Sequence, residues 1–358
     1  MASRGSEEFR AVTQLGMVRY RRRYYCCERG HGGYAPFDRM LGLYKHASAG
    51  LQDWICYAAA KEAFGGAAET IAVFSEVALN HATVQDVAEW HGKRLYEAQM
   101  AETTRVFTPA LRPPEPAGPE RLYIEVDGAH VPKRGKDVWN ECRVGVLFEV
   151  EPGADRHPLN VSYLAGMESW EAFGERLFAA AYARGVSTAR EVVFLGDGAQ
   201  SNWSIAELHF PHATHIVDFY HASEHIHTAR LLRWTADDSD GLAWAASQVT
   251  LLKEGHWDAF IAAFDLLPGA TVLQCKERKK ATDYFEHNKA RMHYAQYRAR
   301  GLYIGSGMVE SGCKLIVTQR MKITGAHWGD PGAHYMVNLR AALLNGDFRP
   351  DWILRCAA

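Results

Sequence analysis

The chain has 358 residues, of which 47% are hydrophobic and 23% charged, a composition typical of a soluble globular protein with two or three domains. Its apolar runs fall far short of the ~20 residues of a membrane helix, and its first residues contain no apolar signal core. The seven cysteines are odd in number and mostly scattered, which argues against a disulfide framework. We therefore expect a cytoplasmic protein without a membrane partner.

The net charge of -2 hides an uneven distribution. Residues 276–322 contain eleven Lys and Arg against four Asp and Glu, a net of +7, and residues 19–25 read RYRRRYY. Basic residues interleaved with aromatic residues suit phosphate backbones and stacked bases. A solvated protein surface explains either patch alone equally well.

The first 107 residues predict a basic segment followed by helices. Residues 1–50 contain the arginine run, and residues 51–107 are Ala-rich with few helix breakers. Within the helical part we predict a turn around Asn80 and a second helix capped by Thr83, with Asp86 at the capping-box position. The pattern is compatible with a DNA-binding helix-turn-helix, whose second helix enters a major groove, or with an ordinary helical hairpin.

Five prolines within residues 108–120 predict an exposed linker, beyond which the pattern becomes that of a sheet. Runs rich in β-branched and aromatic residues predict five strands, at 121–128, 141–150, 159–166, 191–198 and 213–221. An amphipathic helix at 169–185 separates the third strand from the fourth, and 221–300 is almost entirely helical. This order predicts an α/β sheet with helices on its faces.

Two predicted strands end in Asp-Gly, which places Asp127 and Asp197 where open α/β sheets bind ligands. Each Asp-Gly pair alone is more typical of a turn. A third carboxylate, Glu310, lies in the first turn of a helix predicted from Met308, with Ser306 as a possible cap, and the helix dipole alone would favour it there. Three converging carboxylates are what a two-metal phosphoryl-transfer site requires, because Mg²⁺ prefers oxygen ligands.

Basic side chains accompany Glu310 and are expected to contact DNA phosphates. They are Lys314, Arg320 and Lys322 on the same predicted helix, together with Arg298 and Arg300 upstream. Further along, Trp328 either stacks on a base or belongs to the hydrophobic core.

The stretch DFYHASEHIH at 218–227 allows two interpretations. His221-x-x-Glu224-His225 has the order of inverzincin zinc proteases, but no third zinc ligand stands out, and the carboxylates would have no role. Asp218-x-x-His221 overlaps this motif at a strand-to-helix junction. His221 either orients a phosphate or moves a proton, since histidines exchange protons near neutral pH, or it is a structural residue bonded to Asp218.

Several motifs together resemble the DDE transposases of the ISKra type, found in bacterial insertion sequences, and more distantly the Mutator-like transposases. They are Asp127-Gly, Gly196-Asp197-Gly-Ala, DFYHASEH and YRARGLYIGSGMVESGCK, and the resemblance spans roughly residues 10–345. It implies an RNase H-like core formed by 121–225 and 301–345, interrupted by an all-α insertion at 226–300. A tail at 346–358 follows.

The resemblance also implies a function. Asp127, Asp197 and Glu310 would be the catalytic triad and would bind two Mg²⁺ ions, for which Mn²⁺ can substitute; His221 would assist and Asp218 would support the site. The enzyme would cleave DNA at the ends of the element and join those ends to target DNA. Its partners would be both DNAs and further copies of the chain in a homo-oligomer, at the nucleoid in the bacterial cytoplasm.

The sequence also departs from this pattern. Relatives carry a cysteine-pair zinc element near the N-terminus, but Gly30 stands where one cysteine is expected, and Cys26, Cys27 and His31 supply only three ligands. The chain also begins late in the family pattern, so an upstream segment is expected to be missing. The alternative to an active transposase is therefore a catalytically inactive or domesticated transposase-derived DNA-binding protein.

Overall fold

A computed structural model describes residues 2–27, 32–75, 77–135, 138–151, 157–268 and 271–348. No helix within these ranges combines the length and the apolarity needed to cross a membrane. The described residues form two sheets, a three-stranded one near the N-terminus and a five-stranded one after the proline-rich segment.

The N-terminal sheet is a long antiparallel ribbon for which the sequence predicts no strand. It consists of β1 (Ala2–Thr13), β2 (Gly16–Cys26) and the two-residue β3 (Gly33–Tyr34). The short helix α1 (Pro36–Met40) packs against β2. Four arginines in β2, and two arginines and two glutamates in β1, interrupt the apolar residues, so hydrophobic alternation, the usual sign of a half-buried strand, is weak here.

Three helices follow, and they confirm that the segment after residue 50 is helical: α2 (Ala49–Ala59), α3 (Phe64–Ser75) and α4 (His81–Phe107). The predicted cap of α4 is wrong, because the cap is Asn80, whose Oδ1 accepts a hydrogen bond from the Thr83 N–H at 2.7 Å. The first turns of α4 bury Val84 and Val87 in the core. Whether this helix pair binds DNA stays a prediction.

The proline-rich segment contains no helix or strand from 112 to 120, but it is held in place. The Gly118 N–H donates to the Thr188 hydroxyl, which itself donates to the Pro116 carbonyl. A Cβ at Gly118 would lie 2.2 Å from the Gly185 carbonyl oxygen, so only glycine permits this approach. The segment therefore packs against the loop after α5 rather than acting as a loose tether.

The five-stranded sheet confirms the predicted α/β architecture. Its strands are β4 (Arg121–Pro132), β5 (Trp139–Val150), β6 (Pro158–Gly166), β7 (Glu191–Gly196) and β8 (Thr214–Val217). They are ordered β6-β5-β4-β7-β8. The central strand β4 runs antiparallel to β5 and parallel to β7, and β8 is parallel to β7.

Helices cover both faces of this sheet, as expected for buried parallel strands. The helices within and after the sheet are α5 (Trp170–Tyr182), α6 (Gln200–His209), α7 (Phe219–Arg230), α8 (Ser239–Glu254), α9 (Trp257–Asp265), α10 (Val272–Asn288), α11 (Tyr294–Ala299), α12 (Gly307–Cys313), α13 (Gln319–Met321) and α14 (Asp330–Asn345). A π-helical stretch, Lys314–Thr318, connects α12 to α13. The prediction that 221–300 is almost entirely helical is confirmed.

Two neighbouring positions of β5 show which helix covers each face. A Cβ at Gly145 would contact Phe173 and Leu177 of α5. A Cβ at Gly312 of α12 would lie 3.1 Å from Val146, the next residue of β5. Because successive side chains of a strand point to opposite faces, α5 and α12 lie on opposite sides of the sheet.

Candidate functional site

Asp127 and Asp197 both lie just beyond the parallel pairing of β4 with β7. That pairing ends at Glu125 and Leu195, and Asp197 follows the last residue of β7. The prediction that a strand ends at Asp127 is wrong, because β4 continues to Pro132 through its pairing with β5. Asp127 nevertheless occupies the carboxyl edge of the parallel ladder, where ligands bind in open α/β sheets.

The loop around Asp197 is fixed by its own hydrogen bonds. Asp197 Oδ1 accepts from the Ala199 N–H at 2.9 Å and from the Asn202 side-chain amide at 2.8 Å. Gly198 adopts φ = 100°, a left-handed conformation that favours glycine. The Tyr284 hydroxyl, on α10, donates to the Asp197 carbonyl at 3.0 Å, so the helical segment 226–300 supports this loop.

Glu310 is in the first turn of α12, as predicted, and α12 lies over the face of β4 that carries Glu125 and Asp127. Glu125 Oε2 accepts from the Val309 N–H at 2.8 Å, and the Cys313 thiol donates to Asp127 Oδ2 at 3.7 Å. These bonds attach both ends of the helix to the strand. The close approach at Gly312 has the same effect toward β5.

Asp218 links the start of α7 to the loop before α12. It is 2% exposed, caps α7 by accepting from the Tyr220 N–H at 2.7 Å, and accepts a hydrogen bond from the Ser306 hydroxyl through its other oxygen. The suggestion that the Ser306 side chain caps α12 is therefore wrong, because its hydroxyl is directed to Asp218. The Ser306 oxygen also lies 3.4 Å from Glu310 Oε1, which connects Asp218 to the third carboxylate.

With the exception of Glu125, the acidic side chains described above line one cleft of about 230 Å³. Its lining brings together the predicted carboxylates with their neighbours, namely Asp127, Asp197, Glu310, Asp218, His221 and Glu224. The predicted triad members come from β4, from the loop after β7 and from α12, so the fold unites residues up to 183 positions apart in the sequence.

The electrostatics of the cleft reflect burial of several acidic groups. Burial raises the pKa of the Asp127 carboxyl, a rise opposed by the Gly128 N–H and reinforced by the negative charge of Asp197. Burial also raises the pKa of the Cys313 thiol, with Asp127 adding to the rise, so the thiol stays protonated and donates to the carboxylate. A positive charge bound in the cleft would therefore stabilise the ionised form of Asp127.

Glu125 also belongs to this group of buried acidic residues, and the sequence did not identify it as part of the site. It is fully buried, and burial raises the pKa of its carboxyl to about 8, while the Val309 N–H opposes the rise and the charges of Asp218 and Glu310 add to it. Its Oε1 has no hydrogen-bond partner among the described residues. A glutamate two positions before Asp127 in a strand shares its face, which is the signal that could have identified it.

The two histidines of the zinc-protease motif have different surroundings. The rings of His221 and His225 are 5.1 Å apart on α7, and His221 Nδ1 lies 3.6 Å from Glu224 Oε2. His225 stacks on Tyr284 at 3.8 Å, and burial lowers its pKa to about 4. Asp218 accepts a hydrogen bond from the backbone N–H of His221 at 3.4 Å, so the predicted bond between these two residues is made through the backbone of His221.

The donor set of the cleft is carboxylate oxygen, which Mg²⁺ and Mn²⁺ prefer. Nevertheless, no three His, Cys, Asp or Glu side chains in the described ranges are close enough together to enclose a metal ion. The chemistry of the cleft nevertheless fits a divalent cation.

The predicted phosphate contacts have three different outcomes. Lys314, Lys322 and Arg298 are exposed, so their roles stay predictions. Arg320 is 2% exposed, donates through Nε to the Ala59 carbonyl and lies over the rings of Phe64 and Trp328, which contradicts a role in contacting DNA.

Arg300 is exposed but far from the cleft. It pairs with Glu191, the first residue of β7, whereas Asp197 follows the last residue of that strand. Six residues of strand separate the two ends by ~20 Å. Arg300 therefore does not contact a phosphate bound beside Asp197.

Two further predictions have outcomes in this part of the structure. Trp328 is buried, and its indole N–H donates to the Met321 carbonyl at 3.0 Å, so it belongs to the core and does not stack on a base. The possible zinc ligand His31 lies outside the described residues, as does Gly30. Zinc binding by Cys26, Cys27 and His31 stays a prediction.

Residues 4–234 match the uncharacterised protein family UPF0236, and because this is more than half of the chain, the protein belongs to that family. The matched region includes Asp127, Asp197, Asp218 and His221 but ends before Glu310. A comparison with curated proteins finds no match.

Proposed function

We propose that this member of the UPF0236 family is a DNA transposase that cleaves DNA at element ends and joins them to target DNA. The observation that carries the proposal is the shared cleft of Asp127, Asp197 and Glu310. Three carboxylates from distant segments at the carboxyl edge of a parallel ladder are typical of a catalytic site.

The architecture supports an RNase H-like core as the scaffold. On one side of β4 lie the antiparallel strands β5 and β6, and on the other the parallel strands β7 and β8. The five helices α7 to α11 lie between the second carboxylate and α12, in the position that the resemblance to ISKra-type transposases assigns to an all-α insertion.

Asp127, Asp197 and Glu310 would hold the Mg²⁺ ions. When bound, two such ions stabilise the charge on the attacking and leaving oxygens of an in-line displacement at phosphorus. Asp127 and Asp197 present oxygens from two adjacent strands, and Glu310 approaches from the helix above them. Burial and the charge of Asp197 raise the pKa of Asp127, and a bound cation would oppose that rise because it favours the ionised carboxylate.

The neighbouring residues would orient this triad. Asp218 and Ser306 join the start of α7 to the loop that carries α12, and the Ser306 hydroxyl contacts Glu310. His221 faces the same cleft and is in position to exchange a proton with a reacting oxygen. Exposed Lys314 and Lys322, on the helical stretch that follows Glu310, would contact DNA phosphates.

The second candidate is a catalytically inactive DNA-binding protein. The observation that favours it is that no three His, Cys, Asp or Glu side chains in the described ranges form a group that could hold a metal ion, because a site that has lost catalysis need not bring three ligands together. This candidate predicts DNA binding with no cleavage under any divalent cation.

The test is metal-dependent cleavage of labelled duplexes taken from the DNA flanking the gene. With Mg²⁺ or Mn²⁺ the protein should cut one strand and then join the resulting 3′ end to a second duplex. Asp127→Asn and Glu310→Gln should each reduce the cleavage rate by at least on the order of 10²-fold, because each removes a carboxylate that would hold the metal ions, whose positive charge stabilises the transition state. Glu69→Gln, on the exposed surface of α3, is the matched control and should cleave normally.

DNA binding by all variants distinguishes the two candidates. Cleavage by the wild-type protein that is lost in Asp127→Asn, with DNA affinity kept, supports the transposase. Binding without cleavage by the wild-type protein supports the inactive DNA-binding protein, and equal cleavage by wild type and Asp127→Asn contradicts the assigned site.

A further inference from the structure

The arginine run of the N-terminal ribbon has two faces with different surroundings. On one face, Tyr20 donates to Asp38 at 2.6 Å, and Arg22 pairs with Asp38 and with Glu7. Arg22 also lies 3.6 Å from the Phe9 ring. These side chains fix the ribbon to α1, so their role is structural.

The opposite face is exposed and strongly basic. Side chains two residues apart in a strand share a face, and cross-strand partners do so too. Arg19, Arg21 and Arg23 therefore point the same way, and their partners on β1 are Arg10, Glu8 and Ser6 in that order. We call Arg10, Arg19, Arg21 and Arg23 the arginine face; all four are exposed.

This face is poorly neutralised by the protein itself. Four arginines and one glutamate give it a net charge of +3. Glu8 lies 4.0 Å from Arg19, and no carboxylate within the described ranges pairs with Arg10, Arg21 or Arg23. Arg10 and Arg19 are directly opposite each other, an arrangement in which like charges destabilise a strand pair. The Arg10–Arg19 pair gives the strand pairing no stabilisation, and a negatively charged partner bound on this face would relieve the repulsion.

We propose that the arginine face binds the phosphate backbone of duplex DNA. Successive arginines on β2 are about 6.8 Å apart, twice the ~3.4 Å axial rise between phosphates of one DNA strand. A two-stranded β-ribbon also has dimensions that fit the major groove. Guanidinium groups make bidentate bonds to phosphate, which suits arginine better than lysine for this contact. The choice of DNA as the polyanion rests on the proposed function.

The test is the salt dependence of DNA binding by the full chain. The variant carries Arg19→Gln, Arg21→Gln and Arg23→Gln, and its affinity for a labelled 30-base-pair duplex is measured by fluorescence anisotropy across salt concentrations. Log affinity falls as log salt rises, and each lost phosphate contact reduces the magnitude of this negative slope by about 1. We expect a slope smaller by about 2–3 and binding roughly tenfold weaker or more at moderate salt.

Two control variants separate the contact from general charge and from folding. Lys45→Gln, Arg190→Gln and Arg233→Gln together remove the same charge from exposed residues outside the arginine face and the predicted DNA-binding helix pair, so affinity and slope should stay near those of wild type. Lys45 and Arg190 already pair with carboxylates, and Arg233 lies over the Trp234 ring. Replacing Arg19, Arg21 and Arg23 by lysine keeps the charge and should retain most of the affinity. If the glutamine variant folds poorly, the single variants Arg21→Gln and Arg23→Gln keep the inference testable: each should reduce the steepness of the salt dependence by about 1, and unchanged salt dependence in both would overturn the inference.

The outcomes separate this inference from the proposed function. Unchanged affinity and slope in the glutamine variant overturn the inference, as does a loss confined to vesicles of anionic phospholipid with duplex binding intact. If the glutamine variant loses DNA affinity while the wild-type protein cleaves no DNA, the arginine face stands and the transposase proposal fails. If the glutamine variant binds DNA normally while Asp127→Asn abolishes cleavage, the transposase proposal stands and the inference about the arginine face fails.

Discussion

Replacing Glu125 by glutamine should remove a large part of the pH dependence of stability. Glu125 is fully buried against the first turn of α12, and its carboxyl has a pKa of about 8 in the folded protein. The usual value of a glutamate, near 4.5, applies to the unfolded chain. Between these two values the folded protein keeps a proton that the unfolded chain has released.

The sign and size of the effect follow from that difference. Below pH 4.5 the carboxyl is protonated in both states and contributes no pH dependence. Above it, the free energy of unfolding falls by about 1.4 kcal/mol for each pH unit, until the folded carboxyl ionises near pH 8. Between pH 5 and pH 7 the wild-type protein should therefore lose about 3 kcal/mol that Glu125→Gln does not lose.

Urea denaturation at pH 5, 6 and 7, in the presence of a chelator, measures this difference. At pH 5 the variant should lie within about 1 kcal/mol of wild type, because the amide oxygen still accepts the Val309 N–H. Its advantage should then grow as the pH rises. Glu69→Gln, an exposed substitution, should give a curve parallel to that of wild type. A constant difference between Glu125→Gln and wild type would refute the view that burial holds the proton on this carboxyl.

Three further substitutions probe other parts of the fold by the same denaturation assay. His91 is bonded to Gln52, and burial lowers the pKa of its ring to about 3. The free energy of unfolding should therefore fall by about 3 kcal/mol from pH 6.5 to pH 4.5, because the histidine of the unfolded chain takes up a proton over this range. His91→Gln should lack this loss, and an equal pH dependence of stability in the variant and in wild type would contradict the prediction. Arg176→Met leaves the Glu168 side chain, which is 8% exposed, without its ion-pair partner and should lower the free energy of unfolding by about 3–5 kcal/mol. Adding Glu168→Leu should recover most of this loss. An unchanged urea midpoint in the single variant would be contrary evidence. Gly312→Val crowds α12 against β5 and should cost roughly 1–3 kcal/mol, and full stability would show that the helix can shift freely.

The sheet and the triad were accessible from the sequence because their signals are local. Runs of β-branched and aromatic residues predict β4 to β8, and Asp-Gly after such a run locates Asp127 and Asp197 at the edge of the sheet. Glu310 follows from its place in the first turn of a helix. The convergence of these residues then requires only that parallel strands share a carboxyl edge.

Other features depend on contacts between distant segments and could not be predicted. Arg320 has the same basic character in the sequence as Lys322, but the Ala59 carbonyl and the rings of Phe64 and Trp328 enclose it. The pairing of β1 with β2 sets Arg22 inward and Arg21 outward, and the arginine run alone does not fix that register.

If the carboxylates of the cleft bind the metal ions of a DNA-cleaving enzyme, replacing one carboxylate by a softer ligand should change which metal ion supports cleavage. Asp197 is the position to alter, because a cysteine at Asp127 would lie beside the Cys313 thiol. Under reducing conditions, Asp197→Cys should lose cleavage with Mg²⁺ and regain part of it with Mn²⁺, because a thiolate ligand suits softer ions than Mg²⁺. Asp197→Asn should be inactive with both. Cleavage by Asp197→Asn at the wild-type rate with either ion would contradict the account.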